Sequence, residues 1–344
     1  MSSARQSTYN LLVPTVPGDE ESVDCISAVD GRADCRKLYH VAGDPLSPPE
    51  PEPVFFQVAR GSWTLSRYAD VVAALRDPRL QQAGAGGQPV NARRDGRTQS
   101  QVHQEVQRDI FRATFAEWRA EMDSLARRIF HTVHTGRSVD LVRDVIQPWA
   151  IALTLNIERA DRLRSSARPL DRQTVPLGKS MFLGLSETLP GFLANAWLAL
   201  LRHPAEMTRL RARPSLMPNA MEELLRYAGI VHTLHRWATS DLRIGKTEIT
   251  AGQFAVLKIA SANRDPEKFV DPDRLDVSRR VSGQLGLGAG PHACVGARLV
   301  RMALAAATPV FVERFPVLPN TPRVQWRRDA TLCYPAAIPV SFGR

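Results

Sequence analysis

One stretch decides the fold of this chain: Gly288-Ala289-Gly290-Pro291-His292-Ala293-Cys294-Val295-Gly296, followed by a helical run over 297–307. Two glycines and a proline predict an irregular loop that delivers Cys294 to the first turn of a helix, where amide N–H groups are unpaired. The helix's positive end and these donors predict a lowered pKa for the Cys294 thiol. Gly296 leaves room for a flat group against the backbone. The stretch therefore predicts an axial thiolate ligand for haem iron, and a buried structural cysteine is the alternative.

Composition is that of an ordinary globular protein, with 44% hydrophobic and 23% charged residues in 344. Four scattered cysteines are too few for a disulfide framework and indicate a reducing compartment. No apolar segment has the length of a signal or a membrane span, so we expect a cytoplasmic protein without a membrane partner. The net charge of +10 is spread without polybasic blocks, which argues against nucleic acid and favours an acidic protein partner.

Helical periodicity dominates the chain beyond a poorly patterned N-terminal segment, 1–52. The predicted helices lie near 102–114, 117–134, 139–157, 179–202, 205–211 and 218–227, with a further helix after the cysteine loop. Strand patterns occur at 54–58 and 62–65 as a hairpin, across 233–259, and in the tail. Pro190 predicts a kink in the helix over 179–202. We therefore expect one domain, 53–344, that is mainly α with a minor β-sheet.

The cysteine loop resembles the signature of the cytochrome P450 family in its bacterial soluble form. The family pattern is Phe-Gly-x-Gly-x-His-x-Cys-x-Gly, and this chain departs from it only at Leu287. The resemblance covers about residues 53–344. It implies a P450-like fold, haem b as the iron cofactor and Cys294 as the metal ligand.

A second motif lies upstream, in the helix predicted near 218–227. Glu223 and Arg226 stand one helical turn apart and can pair with each other. In the family this pair joins an arginine of a later irregular segment, and the resemblance implies that Arg274 fills that role. The three residues are expected to form a structural clamp rather than a surface ion pair.

The two haem propionates need cations or hydrogen-bond donors. The resemblance implies that His292, Arg236 and His103 supply them. The family's arginine four residues after His103 is replaced here by Gln107, so Arg108 is the candidate substitute if the helix is rotated or its long stem bends back. A solvated basic face that docks an acidic ferredoxin is the alternative for this segment.

The oxygen-activating helix of the family aligns with residues 184–189. Glu187 and Thr188 then form the acid and alcohol pair that relays protons. Leu185 occupies the position of a small glycine, where it is expected to crowd oxygen. Pro190 can compensate for this crowding, because it lacks the N–H that would bind the Ser186 carbonyl and so opens the same helical turn. An ordinary Glu-Thr pair on an exposed helix face is the alternative.

The chain is short between the helix ending near 157 and the long helix starting near 179. The family usually places two helices and a lid there, but this interval holds one at most. We therefore expect an open distal side, serving a bulky or carrier-tethered organic substrate or covered by a homo-oligomer or another protein.

The leading hypothesis from the sequence is a haem-thiolate oxidase or monooxygenase of bacterial secondary metabolism that uses dioxygen and electrons from a ferredoxin. Two alternatives stay open. One is a degenerate relative that activates a partner such as a glycosyltransferase, and the other is a haem protein that performs a non-oxygenating or peroxide-dependent reaction.

Overall fold

A computed structural model describes residues 45–46, 55–57, 62–82, 115–133, 138–165, 184–315, 323–329 and 331–341. His103, Gln107 and Arg108 lie outside these residues, as does the predicted helix near 102–114. The helices are α1 (Tyr68–Arg76), α2 (Phe115–Thr132), α3 (Gln147–Ser165), α4 (Leu189–Arg202), α5 (Pro204–Ala212), α6 (Met217–Tyr227), α7 (Ile259–Ala262) and α8 (Ala297–Arg314).

The strands are short and form small sheets. They are β1 (Phe55–Gln57), β2 (Ser62–Leu65), β3 (Leu80–Gln82), β4 (Ser138–Asp140), β5 (Thr233–Ala238), β6 (Leu242–Ile244), β7 (Thr247–Ile249), β8 (Phe254–Lys258), β9 (Gln325–Arg328), β10 (Cys333–Ala337) and β11 (Pro339–Ser341). A five-stranded sheet has the order β1-β2-β8-β5-β3, in which only β2 and β8 run parallel. The predicted architecture, mainly α with a minor sheet, is confirmed.

Two prolines follow π-helical turns at the junctions with α3 and α4. A π-helical turn at Val142–Ile146 precedes Pro148, and another at Gly184–Thr188 precedes Pro190. Proline lacks an N–H donor and its ring crowds the carbonyl of the preceding turn, so a widened turn accommodates it. The kink predicted at Pro190 therefore takes the form of a π-helical turn.

The interval predicted to be short begins later than the sequence indicated. Helix α3 continues to Ser165 instead of ending near 157, and the next described residue is Gly184. Residues 166–183 lie outside the description.

Helix α4 forms the centre of the larger core, and every residue from Leu189 to Leu201 is buried. Trp197 stacks on Phe311 of α8 with a centroid distance of 4.6 Å, and Phe130 of α2 packs against the same indole at 5.5 Å. Aromatic burial of this kind dominates core energetics. The core therefore fixes α4, and with it the π-helical turn that carries Glu187 and Thr188.

A smaller core joins α1 to the five-stranded sheet and to the segment leading into the cysteine loop. Its buried members include Leu65, Leu75, Leu257 and Leu285.

No helix among the described residues is long and apolar enough to cross a bilayer.

Candidate functional site

The cysteine loop is a tight turn held by backbone hydrogen bonds. A short 3-10 helix, Gly290–His292, leads into Cys294. The Cys294 N–H donates to the carbonyl of Leu287 at 2.8 Å, and the Cys294 carbonyl accepts from Ala297 at 3.1 Å. Gly296 is the N-cap of α8, so Cys294 lies just before the helix and not in its first turn.

Glycine is required in this loop for conformation and for space. Gly288 and Gly290 have φ values of 72° and 71°, in the left-handed region that side chains rarely adopt. A Cβ on Gly290 would also collide with the carbonyl oxygen of Leu75 in α1 and lie 3.1 Å from the Arg76 Cα. The loop therefore sits directly on the end of α1.

The expected fall in the pKa of Cys294 is wrong for the protein alone. Burial raises the pKa of this thiol, and the hydrogen bond from the Gly296 backbone and the charge of Arg301 lower it by less. The physical reason is position: Cys294 precedes α8, so it gains few helix amides while losing water. A thiolate here needs further stabilisation, which a bound metal ion supplies by displacing the proton.

Two features fit a flat, anionic cofactor. Next to Cys294, a Cβ on Gly296 would meet only the Cys294 Sγ among the described residues, at 3.9 Å, so that face of the backbone is open. Arg236, on β5, is 1% exposed, yet its Nε has no hydrogen-bond partner among the residues that the structure describes. Its Nη1 donates to the carbonyl of His235 at 2.9 Å. Burial lowers the pKa of Arg236 to about 10, so the side chain remains a cation at neutral pH.

A buried cation with an unpaired donor is costly unless an anion accompanies it. The haem propionate is an anion of this kind, so Arg236 suits its predicted role. His292 is half-buried at the end of the 3-10 helix, in the same loop as Cys294. The other two predicted propionate partners, His103 and Arg108, lie outside the described residues.

Glu223 and Arg226 form a fully buried ion pair. Arg226 donates from Nε and Nη2 to the Glu223 carboxylate at 2.7 and 2.9 Å. Its Nη1 donates to the carbonyls of Asn263 and Pro272, each at 2.8 Å. The pair therefore ties α6 to the irregular segment before the cysteine loop.

The third residue of the clamp is Arg279, which corrects the expectation for Arg274. Arg279 Nε donates to Glu223 at 3.1 Å. Arg274 contributes its backbone carbonyl, 3.5 Å from Arg226 Nη2, while the residue itself is exposed. The turn that begins at Asp271, with φ of 45°, presents backbone oxygens to Arg226. Arg279 lies five positions after Arg274, and its side chain reaches Glu223.

Glu187 and Thr188 occupy the π-helical turn at the start of α4. Thr188 donates its hydroxyl to the Gly184 carbonyl at 2.5 Å, and Glu187 is exposed. The side chain of Leu185 lies outside the described residues. A solvent-accessible carboxylate next to a half-buried alcohol is suited to passing protons from water inward.

The sequence did not single out Tyr334, which packs against the same helix. A Cβ on Gly191 would lie 2.9 Å from the Tyr334 Cγ, so the ring rests on the backbone of α4 one turn after Glu187. Burial raises the pKa of the Tyr334 phenol, as do the charges of Asp329 and Glu187, against the opposing charge of Arg327. The tail strand β10 therefore reaches the first turn of α4, a contact that no local pattern encodes.

Comparisons with known proteins agree with this geometry. The sequence model of the family described as Cytochrome P450 matches residues 202–336. Cytochrome P450-SU2 of Streptomyces griseolus is 30% identical over 325 residues, covering 74% of this chain and 81% of that protein. Nocardicin C N-oxygenase of Nocardia uniformis subsp. tsuyamanensis is 36% identical over 180 residues, covering 51% of this chain and 45% of that protein.

The fold is also similar to a solved structure of P450BioI in complex with an acyl carrier protein ligated to hexadec-9Z-enoic acid. The TM-score is 0.71 at 19% identity, and the match covers 85% of this chain and 95% of that one. Other curated relatives match over a smaller share: the chain spans 38% of the length of one and 39% of another.

Proposed function

This chain belongs to the cytochrome P450 family, whose members bind haem, and we propose that it is a haem-thiolate oxidase or monooxygenase that acts on an organic substrate. The observation that carries the proposal is the buried Arg236 guanidinium, whose Nε has no hydrogen-bond partner in the described part of the chain. Combined with Cys294 in its glycine-bounded loop, it gives the chain one ligand for iron and one cation for a carboxylate of the same cofactor.

Each residue has a definite task in this proposal. Cys294 ligates the iron as a thiolate, and the Gly296 amide that donates to its sulfur stabilises the negative charge. Arg236 and His292 bind propionates, with His103 and Arg108 as further candidates. Haem, when bound, supplies dioxygen binding and cleavage. The clamp of Glu223 and Arg226 holds the segment that precedes the cysteine loop.

Proton supply on the distal side is assigned to Glu187 and Thr188. Glu187 exchanges protons with water because it is exposed, and Thr188 carries them inward through its hydroxyl. The Thr188 hydroxyl donates its proton to the Gly184 carbonyl, so this bond must break before Thr188 passes the proton inward and takes a replacement at its oxygen from the Glu187 side. A relay of this form needs both residues.

The electron donor is proposed to be an acidic ferredoxin. The exposed arginines Arg76, in α1, and Arg298, in α8, flank the cysteine loop. An acidic partner attracted to this face would place its redox centre near Cys294. Raising the ionic strength is expected to slow ferredoxin-dependent reduction steeply, whereas reduction by dithionite is expected to change little.

The substrate is proposed to be a secondary-metabolite intermediate, either free and bulky or tethered to a carrier protein. Nocardicin C N-oxygenase acts on nocardicin C by its name, and the P450BioI structure contains an acyl carrier protein. The proposed substrate contacts are half-buried: Thr233 and Leu234 at the start of β5, and Val231 two residues before it.

The test is a haem titration of purified apoprotein, followed by absorbance. One haem per chain is expected, with saturation at stoichiometric haem. The Arg236→Met variant is expected to lose haem faster on transfer to apomyoglobin, while Arg243→Met, at an exposed position of β6, is the matched control. Wild-type protein that takes up no haem would refute the proposal.

One observation favours a peroxide-dependent reaction as the second candidate. The Thr188 proton is engaged by the Gly184 carbonyl, so delivery to oxygen requires that bond to break. Peroxide brings its own two electrons and two protons and avoids this step. Turnover with hydrogen peroxide, but none with ferredoxin and NAD(P)H, would select this candidate over the monooxygenase.

A further inference from the structure

A half-buried carboxylate, Glu222, binds two side chains that flank the cysteine loop in the sequence. Arg301 of α8 donates to it from Nε at 2.5 Å and from Nη2 at 3.1 Å. Gln284 donates from Nε2 at 3.1 Å. Glu222 is the neighbour of Glu223 in α6 but takes no part in the clamp. This pair of ions therefore needs a separate explanation.

Gln284 also connects Glu222 to the segment that precedes Cys294. Gln284 Oε1 accepts the N–H of Gly286 at 2.7 Å, and the next residue, Leu287, accepts the N–H of Cys294 at 2.8 Å. Glu222 is thus connected to the cysteine loop through Gln284 and to the helix that follows Cys294 through Arg301. These contacts hold the ion pair at a fixed position relative to the sulfur.

Arg301 acts on the charge of the sulfur. Arg301 lies one helical turn after Ala297, whose N–H donates to the Cys294 carbonyl, so about 6 Å of helix axis separates Arg301 from the start of α8. At this range a cation stabilises negative charge at Sγ. Glu222 has the opposite sign and binds the same guanidinium, so it cancels part of that field.

We propose that the Glu222–Arg301 ion pair sets the reduction potential of the iron bound to Cys294. One-electron reduction of ferric to ferrous iron adds a negative charge to the site without forming or breaking a bond. A fixed cation near the sulfur favours the reduced state, and a fixed carboxylate opposes it. The inference rests on the proposed function, since the electron comes from the ferredoxin. Glu222 and Arg301 are positioning residues that act through Cys294.

The experiment measures the midpoint potential of the holoprotein by spectroelectrochemistry, with the electrode supplying the electron. Glu222→Gln leaves the cation uncompensated and is expected to raise the potential. Arg301→Gln leaves the carboxylate and is expected to lower it. Each change is expected to alter the reduction equilibrium about two- to fivefold, because the pair is partly exposed. A tenfold change in a one-electron equilibrium constant corresponds to 59 mV, so the expected shift in midpoint potential is about 20–40 mV.

Two further variants separate charge from structure. The double variant, Glu222→Gln with Arg301→Gln, is expected to return close to the wild-type potential, and Arg301→Lys is expected to stay near it. Arg143→Gln, which breaks the exposed Arg143–Asp144 pair, is the matched control and should not move the potential. If Arg301→Gln does not retain haem, the upward shift of Glu222→Gln still decides the sign.

Shifts in the same direction for both single variants, or no shift in either, would refute the inference. In that case a normal thiolate-ligated carbon monoxide spectrum of the wild type would leave the proposed function standing. A wild type that binds no haem would refute the proposed function, and the inference with it.

Discussion

Replacing each loop glycine by alanine tests how the cysteine loop is held. Gly288 and Gly290 have nearly the same positive φ, so each alanine meets the same backbone strain, about 1–2 kcal/mol. Their surroundings differ. A Cβ on Gly288 lies 3.5 Å from the Ala293 Cα, an ordinary contact, whereas a Cβ on Gly290 collides with the Leu75 carbonyl.

The collision adds the cost of overpacking, about 1–3 kcal/mol, because α1 and the loop must separate. The expected loss in the free energy of unfolding is therefore about 1–2 kcal/mol for Gly288→Ala and about 2–5 kcal/mol for Gly290→Ala. Urea unfolding of both apoproteins, followed by circular dichroism, measures the difference from the midpoint and slope. Equal losses in the two variants would refute the argument that the loop rests on α1.

Three further predictions concern buried charges. Arg236→Met is expected to raise the free energy of unfolding of the apoprotein by about 1–3 kcal/mol in urea, because it removes a buried cation that no anion among the described residues accompanies, and to accelerate haem loss. Lower apoprotein stability would contradict this. Glu223→Gln is expected to lower the free energy of unfolding by about 3–5 kcal/mol, Arg279→Gln by less, and Arg274→Gln by under about 0.5 kcal/mol. A larger loss of stability in Arg274→Gln than in Arg279→Gln would contradict the observed clamp. Burial lowers the pKa of His232 from 6.5 to about 4, so the stability that the neutral side chain contributes is complete above pH 6.5 and falls by about 3 kcal/mol as the pH falls to 4. In His232→Gln, the slope of the free energy of unfolding against pH between pH 4 and 6.5 is expected to decrease by the amount that corresponds to about one proton. An unchanged slope would contradict the shift.

The parts that the sequence predicted well depend on short spacings. The glycine loop before Cys294 and the Glu223–Arg226 pair are encoded within one or two turns, where local geometry leaves few arrangements. The hairpin of β1 and β2 was predicted for the same reason, and the two strands pair antiparallel with Phe55 opposite Thr64.

The parts that it missed depend on contacts distant along the chain. Arg274 and Arg279 lie in one irregular segment, and only its path decides which guanidinium reaches Glu223. Tyr334 reaches α4 from a tail strand, across 143 positions from Gly191. The pKa of Cys294 depends on burial, which the charge pattern of the loop does not reveal.

The most direct test of the central claim is the absorbance spectrum of the reduced carbon monoxide complex, measured on the wild type and on Cys294→Ala. The account predicts a Soret band at the position of thiolate-ligated haem in the wild type. It predicts that Cys294→Ala lacks this band, and that Cys333→Ala, at the buried cysteine of β10, retains it. A thiolate band that persists in Cys294→Ala would contradict the assignment of Cys294 as the iron ligand.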